Sequence, residues 1–564
     1  MPVFSRPDNP LPAMVAGAAA LAWTAGFHYV MATVTENQDA GQVVRYWVFS
    51  FSLFTLACFA RQLSGYGRLI YQGVRFAVSA AAAPLAVIFA YCLDTGRPVS
   101  ASAVGAVLQS DATESVQFIL NDFMTFRYVT FFITGFLLTF GCLTAFSSAT
   151  AFFRPSLGKR RILVALTLFA VLFTPYHFRF VSNYFRAKNT FQRELDVFRD
   201  LSERRAGQTL DVSKSGKGEL YVVVIGESAG RDMMQAYGAD VPDTPWMTSM
   251  AADQGWVLLK NPYSCDVNTV PTVVGAFEQG NQYTGYRFPD TVTVLDVCRA
   301  AGMRTAWLSN QTRFARWGTP ITVIAETADT CLFTNKAVGG VAKSPPDSLL
   351  LPELDKVLDS LKRDENTLIV LHIVGSHFPY SATLDGHTPL MDIPESWRIE
   401  QSDALLRARV SAYLTSLRQT DGFLAQVYAR LTNKAAGRPV SFIYFSDHGE
   451  DPRPGFGHNE DMFTWPMARI PFFIWSSPEY RERYPERLET LKVNKERIVT
   501  NDLFFDLFTG LAGISYSGRD PSFDLSSESY ALHETDARII KGKKAVKDDP
   551  WLRGRPEGRA PLYP

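Results

Sequence analysis

Apolar and polar positions divide the 564-residue chain into two unlike parts. Up to residue 178 the apolar residues come in five long runs: Leu11–Val34, Val43–Ala60, Phe76–Leu93, Tyr128–Phe152 and Ile162–Phe178. A helix needs about 20 apolar residues to cross a bilayer, so the pattern predicts five membrane-spanning helices. A cleaved leader accounts only for the first run, and that segment lacks a cationic start. Beyond residue 218 the period changes. Short β-branched runs alternate with longer stretches of helical spacing, a pattern that predicts a mostly parallel sheet with helices on both faces. The strand candidates are Leu220–Gly226, Thr305–Ser309, Thr367–Gly375, Val440–Ser446 and Ile470–Trp475; Ser402–Leu431 and Thr500–Leu511 are helix candidates.

Charge in the connecting loops orients the spans. Arg61, Arg68 and Arg75 follow the second run, and Arg154, Lys159, Arg160 and Arg161 follow the fourth. The first and third loops carry Glu36, Asp39, Asp94, Asp111, Glu114 and Asp122 against Arg45, Arg97 and Arg127. The second and fourth loops are therefore expected in the cytoplasm, with the N-terminus. Everything after Phe178 falls outside, in the periplasm if the membrane is a bacterial inner membrane. Residues 178–205 interleave Phe180, Tyr184, Phe191, Leu195 and Phe198 with Arg and Lys, as a helix lying among lipid headgroups does. Gly207–Gly218 reads as a flexible linker. The expected organisation is 1–178 membrane domain, 179–217 interfacial helix and linker, 218–536 exported α/β domain, and 537–564 a charged, loose tail.

Composition adds two constraints. Lys and Arg balance Asp and Glu at 56 each, so the chain has no net charge to draw it to nucleic acid. Three cysteines, Cys265, Cys298 and Cys331, lie in the exported part, where disulfides persist. An odd number leaves at least one free or paired outside the domain.

Ligands of parallel α/β sheets bind beyond the carboxyl ends of the strands. Glu227, Ser228 and Arg231 follow the first strand; His372 lies in the strand that His377 follows; Asp447, His448, Glu450 and His458 follow "VSFIYFS". Of six histidines beyond residue 200, four fall in these motifs. An Asp-His pair after one strand reads as a turn, but three strands ending this way point to a metal site. Acid and imidazole donors suit zinc or manganese. Asp447 and His448 would point to opposite faces of a straight strand, and a turn at Gly449 would let both reach one ion. Two nucleophiles remain open on the residues alone. Ser228 sits beside a proposed ligand, and Thr269 lies in "NPYSCDVNTVPT", where a metal or base would have to activate its hydroxyl.

These motifs resemble those of the membrane-bound phosphoethanolamine transferases, within the alkaline phosphatase/sulfatase-like superfamily. The resemblance covers nearly the whole chain. It rests on "VVVIGESAGRDMMQAYG", "SCDVNT", "LHIVGSHFPY", "YFSDHGE" and "GHNED". It implies Thr269 as a phosphorylated nucleophile and Glu227, Thr269, Asp447 and His448 as ligands of one or two zinc ions. His377 and His458 become substrate-side catalytic residues. The implied reaction transfers phosphoethanolamine from phosphatidylethanolamine to a lipopolysaccharide or periplasmic-glucan acceptor. Asp111, Glu114 and Ser228 are candidate substrate-binding residues, the two acids for the donor ammonium. The chain departs from the family in two ways. Ser228 stands where relatives often have threonine, and three exported cysteines are too few for the disulfides of lipid A-modifying members. A phosphoglycerol transferase shares the spans and the threonine. A sulfatase would need a Pro and an Arg after Cys265 that are absent, and a non-catalytic scaffold would have lost the four ligands.

Overall fold

The computed structural model describes scattered helical positions between 69 and 90 and between 189 and 200, residues 126–150, and residues 210–553. Within the last span it leaves out 285–290, 313–319, 336–344 and scattered positions between 382 and 402. The chain divides into two compact units, Met1–Gly105 with Phe118–Lys188, and Ala106–Gln117 with Asn189–Pro564. In the first unit, helix α1 (Phe126–Thr150) falls on the fourth apolar run. Its Phe136 meets Phe76 edge-on, and Thr144 accepts a hydrogen bond from Arg75 at 2.7 Å. Phe76–Leu93 is described only in part, and the other three runs lie outside the described residues. Among the described residues, no helix is long and apolar enough to cross a membrane.

The second unit is built on a seven-stranded sheet. Its strands are β1 (Leu220–Gly226), β2 (Trp256–Leu258), β3 (Arg304–Ser309), β4 (Thr330–Phe333), β5 (Thr367–His372), β6 (Val440–Ser446) and β7 (Phe472–Ser476). Their order across the sheet is β2-β7-β6-β1-β5-β3-β4. Strands β6, β1, β5, β3 and β4 run parallel, while β7 is antiparallel to both its neighbours. Every residue of β1, β5 and β6 is buried, which is why these strands read as unbroken apolar runs rather than alternating ones. Alternate side chains still divide between faces. Tyr221, Val223 and Ile225 join the core under helices α2 (Thr269–Phe277), α3 (Val294–Ala300) and α6 (Phe504–Ala512). Leu220, Val222 and Val224 join the core under α4 (Leu350–Asp359) and α5 (Ala404–Lys434). The expected α/β class with a mostly parallel sheet is what the second unit adopts, and the loops at the carboxyl ends of β1, β5 and β6 share one edge.

Two expected loose segments are folded. Within the supposed linker, Val212–Lys214 pairs antiparallel with Ile514–Tyr516. Lys214 is held in an almost fully buried ion pair with Glu219. Burial lowers the Lys214 pKa against the raising effect of Glu219, so the ammonium tolerates its site through that pair. The segment from Ala537 to Arg553 is folded: Arg538–Ile539 pairs with Lys544–Ala545, and Ile540, Val546 and Asp549 are buried. Cys265 and Cys298 are free thiols. Of the expected interfacial helix, the described positions are helical and exposed.

Candidate active site

Glu227, Asp447 and His448 hang from strand ends that burial holds in place, and Thr269 from the start of a helix. Glu227 follows β1, and its carbonyl accepts from the Ser376 amide at 3.0 Å in the loop after β5. That loop is shaped by Asp347, whose carboxylate takes the Val374 and Gly375 amides and the Asn310 side chain. Asp447 and His448 follow β6. Thr269 opens α2, so the positive end of that helix lies at its hydroxyl. Asp266 shapes the approach by accepting from the amides of Val267 and Asn268. One buried amide joins the two loops: Asn501 accepts from the Cys265 amide at 2.8 Å and donates to the Asp447 carbonyl at 2.7 Å.

The polar atoms converge closely. Thr269 Oγ1 lies 3.1 and 3.2 Å from the Glu227 carboxylate oxygens and 3.2 Å from His448 Nε2. His448 Nε2 is 3.2 Å from Glu227 Oε1 and 3.4 Å from Asp447 Oδ2. His448 Nδ1 lies 2.8 Å from the Gly449 carbonyl oxygen. A carbonyl only accepts, so Nδ1 carries a proton and Nε2 is left to face the cluster. Asp447 Oδ1 takes the amides of Ser228 at 3.0 Å and His448 at 2.6 Å. Its Oδ2 is fully buried and has no hydrogen-bond partner among the described residues.

This arrangement fits the zinc implied by the sequence resemblance. Donors about 2.0–2.1 Å from a tetrahedral zinc lie about 3.3–3.4 Å from one another, close to the separations just given. Two carboxylates, an imidazole nitrogen and a hydroxyl are zinc donors, and the orphaned Asp447 oxygen supplies what a cation would take up. Electrostatics agree. Asp447 is pushed up to about 7 by burial and by the Glu227 charge. Burial works against charge on His448, yet Asp447, Glu227 and Glu450 push it up to about 10. Burial likewise works against charge on Glu227, but its hydrogen bond to His448 and the histidine charges around it hold it low. The cluster draws in positive charge. Asp447→Asn puts an amide donor where Oδ2 stands. It is expected to weaken zinc binding by more than the roughly 10–100-fold that losing an outer partner costs. Competition titration against a chelating dye checks this, and unchanged affinity would remove Asp447 from the ligand set.

The remaining expected residues fall into four groups. His458 and His377 border the cluster: the His458 ring centroid is 4.5 Å from that of His448 and 6.2 Å from that of His377. His458 Nδ1 is 2.9 Å from Glu450 Oε2, and Tyr380 donates to the other Glu450 oxygen at 2.8 Å. His448, Glu450 and His458 thus form a second group of metal-type donors. Ser228 is a neighbour of the cluster rather than its centre. Its hydroxyl meets Glu227 Oε1 at 3.1 Å, and its backbone is left-handed at φ 55°, a strain of about 1–3 kcal/mol held by its amide bond to Asp447 and by Tyr413 donating to its carbonyl. His372 faces Trp307 inside the sheet, with its pKa lowered to about 4 by burial. Asp111 and Glu114 lie outside the described residues. Sequence reasoning missed Gln311, which donates to Glu227 Oε2 at 3.3 Å and to the Ile373 carbonyl at 3.0 Å. It stands two residues past the end of β3, where the strand-end rule would have found it. Nothing in the sequence marks Asn501.

Comparisons with known proteins agree with this geometry. A Haemophilus influenzae protein, carried under the provisional name of a phosphoethanolamine transferase, is 27% identical over 385 residues, covering 65% of this chain and 72% of that protein. Phosphoethanolamine transferase EptC of Escherichia coli is 25% identical over 318 residues, 53% of this chain and 52% of EptC. The chain therefore matches only about half the length of that relative. The crystal structure of the C-terminal periplasmic domain of Escherichia coli EptC in complex with Zn superposes with a TM-score of 0.52 at 23% identity, covering 61% of this chain and 97% of that one. The integral membrane protein lipooligosaccharide phosphoethanolamine transferase A of Neisseria meningitidis gives 0.57 at 18% identity over 90% of this chain and 98% of that one. These two likenesses show the fold. The sulfatase family model spans residues 219–514, from the foot of β1 past the end of α6 and so through every strand end that carries the cluster, and the chain belongs to the sulfatase family.

Proposed function

We propose that this protein transfers phosphoethanolamine from phosphatidylethanolamine to a glycan or lipopolysaccharide acceptor of the cell envelope, through a phosphorylated Thr269 and with zinc. The observation that carries the reading is the convergence of Thr269 Oγ1 on Glu227 and His448 at 3.1–3.2 Å. The names of the relatives supply the group transferred, and the Zn complex of EptC supports the metal. Glu227, Asp447, His448 and Thr269 would hold the ion. Bound zinc supplies the Lewis acidity that lets a threonine hydroxyl lose its proton near neutral pH and that offsets negative charge on the phosphate.

The chain's own groups do the rest. Thr269 Oγ1 attacks the phosphorus, the bond to the diacylglycerol oxygen breaks, and phosphoethanolamine stays on Thr269. Glu227 orients the hydroxyl before attack, and the start of α2 presents a positive dipole end to the phosphate. His458, oriented by Glu450, delivers a proton to the departing diacylglycerol oxygen. It then takes one from the acceptor hydroxyl that displaces Thr269. His377 lies on the same side and binds the phosphate. The five apolar runs cross the membrane and residues from 218 on lie in the periplasm, so the lipid donor is met at high local concentration. Exposed Phe132, Ile133 and Leu137 on α1 support lipid contact, as does the integral-membrane nature of the Neisseria protein.

The test is the intact mass of the zinc-loaded full-length protein before and after incubation with phosphatidylethanolamine. A gain of one phosphoethanolamine, retained in Ser228→Ala, is expected. A phosphoglycerol adduct formed only with phosphatidylglycerol would replace the donor. No adduct with either lipid, and no release of diacylglycerol, would overturn the reading.

A further inference from the structure

The family match ends at residue 514, yet the chain beyond it returns to the nucleophile loop. The short hairpin Arg538–Ile539/Lys544–Ala545 closes on a turn in which Ile540, Lys541 and Gly542 are all left-handed, at φ 53°, 53° and 82°. Two of these are not glycine, and Ile540 is β-branched, so the turn holds strained backbone at Ile540 and Lys541. The conformation points the Ile540 amide at the Cys265 carbonyl, 2.7 Å away and four residues before Thr269.

A second anchor lies at Asp549, fully buried. Its Oδ2 accepts from the Tyr263 hydroxyl at 2.7 Å and from Arg469 Nε at 2.8 Å, while Oδ1 takes another Arg469 nitrogen. Arg469 reaches on to Asp232 at 2.7 Å, five residues past Glu227, and Trp551 covers its guanidinium. The loop that carries Thr269 is therefore gripped where it starts, at Tyr263, and in its middle, at Cys265, by one returning segment.

We propose that Arg538–Asp549 is a strap that positions the nucleophile, with Asp549 and the Ile540 amide as its two anchors. Asp549 and Tyr263 are positioning residues: they touch neither substrate nor the metal-type donors, and they act by fixing how far Thr269 Oγ1 stands from Glu227 and His448. The catalytic consequence rests on the transfer reaction proposed above; the mechanical one does not.

Two variants of the full-length protein separate these. Tyr263→Phe removes only the hydroxyl that donates to Asp549, and Asp549→Ala removes the anchor. Both are expected to keep wild-type zinc content and KM. The kcat should fall by about 10-fold and about 100-fold respectively, the scale of a misplacement near 1 Å. Hydrogen exchange of amides 264–269 should rise at least as steeply, while β1 and β6 stay protected. Exchange at 264–269 that matches wild type, or a rise spread evenly over the domain, would overturn the strap; if Asp549→Ala fails to fold, Tyr263→Phe decides. Should wild-type protein transfer nothing to any acceptor, the activity falls, and the exchange pattern still judges the strap.

Discussion

Thr269→Ala is expected to lower transfer by about 10⁴-fold or more while the protein stays folded. Loss of a nucleophile that acts as a unit with its activating groups removes almost the whole of its contribution. The change deletes one hydroxyl and one methyl from the first turn of α2. That turn keeps its backbone bonds, because its side-chain bonds come from Thr272, whose hydroxyl donates to the Asn268 and Thr269 carbonyls. Glu227, Asp447 and His448 remain, so zinc content should stay close to stoichiometric. Thr269→Ser restores the hydroxyl and should recover a measurable fraction of the rate. Ser228→Ala is the contrast. It removes a hydroxyl bonded to Glu227 but keeps the backbone amide that holds Asp447, and its loss should stay within about tenfold. Initial rates, intact mass and metal analysis on the same preparations check all three. A Thr269→Ala protein within tenfold of wild type would dismiss Thr269 as nucleophile.

How much of this was legible in the chain depends on how local each cause is. Strands β1 and β6 coincide residue for residue with "LYVVVIG" and "VSFIYFS", because strands buried on both faces leave continuous apolar runs. Glu227, Asp447 and His448 followed from the rule that such sheets bind ligands at their carboxyl ends. The choice between Ser228 and Thr269 did not. It depends on where a loop more than forty residues after β1 returns, and that path is set by Asn261–Tyr263 pairing with Ile498–Thr500, a contact with no local signature. The linker and tail were misread for a related reason. "SKSGKG" and the charged, Gly- and Pro-bearing end look solvated, and composition cannot reveal that Lys214 finds Glu219 or that Asp549 finds Arg469. Asp549 and Arg469 lie 80 residues apart, and Lys214 and Glu219, though close in sequence, are buried together only because Val212–Lys214 pairs with the distant Ile514–Tyr516.

Gly449→Ala is expected to destabilise the domain by about 3 kcal/mol or more, the upper end of overpacking costs, and to weaken zinc binding with it. The sequence suggested a sharp turn at this glycine, but Gly449 is absent from the left-handed residues of the chain. What it supplies is room. A Cβ there would stand 2.1 Å from the Pro466 carbonyl oxygen and 3.0 Å from that of Arg469. Both are backbone atoms, so no side chain can swing aside. Nor can the Trp465–Arg469 segment retreat freely: it receives the Gly449 amide at Met467, the Ser264 amide at Ala468 and the Arg231 amide at Arg469. Arg469 is tied as well to Asp232 and Asp549. The clash must therefore move Gly449 itself. Its carbonyl is the partner of His448 Nδ1, so the displacement rotates the imidazole away from Glu227 and Asp447. Gly437→Ala makes the comparison. That glycine is left-handed at φ 76° with nothing within 4 Å of an added Cβ, so its cost is backbone strain alone, about 1–2 kcal/mol. Denaturant unfolding and zinc competition titration on the two variants separate the causes. If Gly449→Ala proves no worse than Gly437→Ala in both, the site does not depend on the close packing of these two backbones.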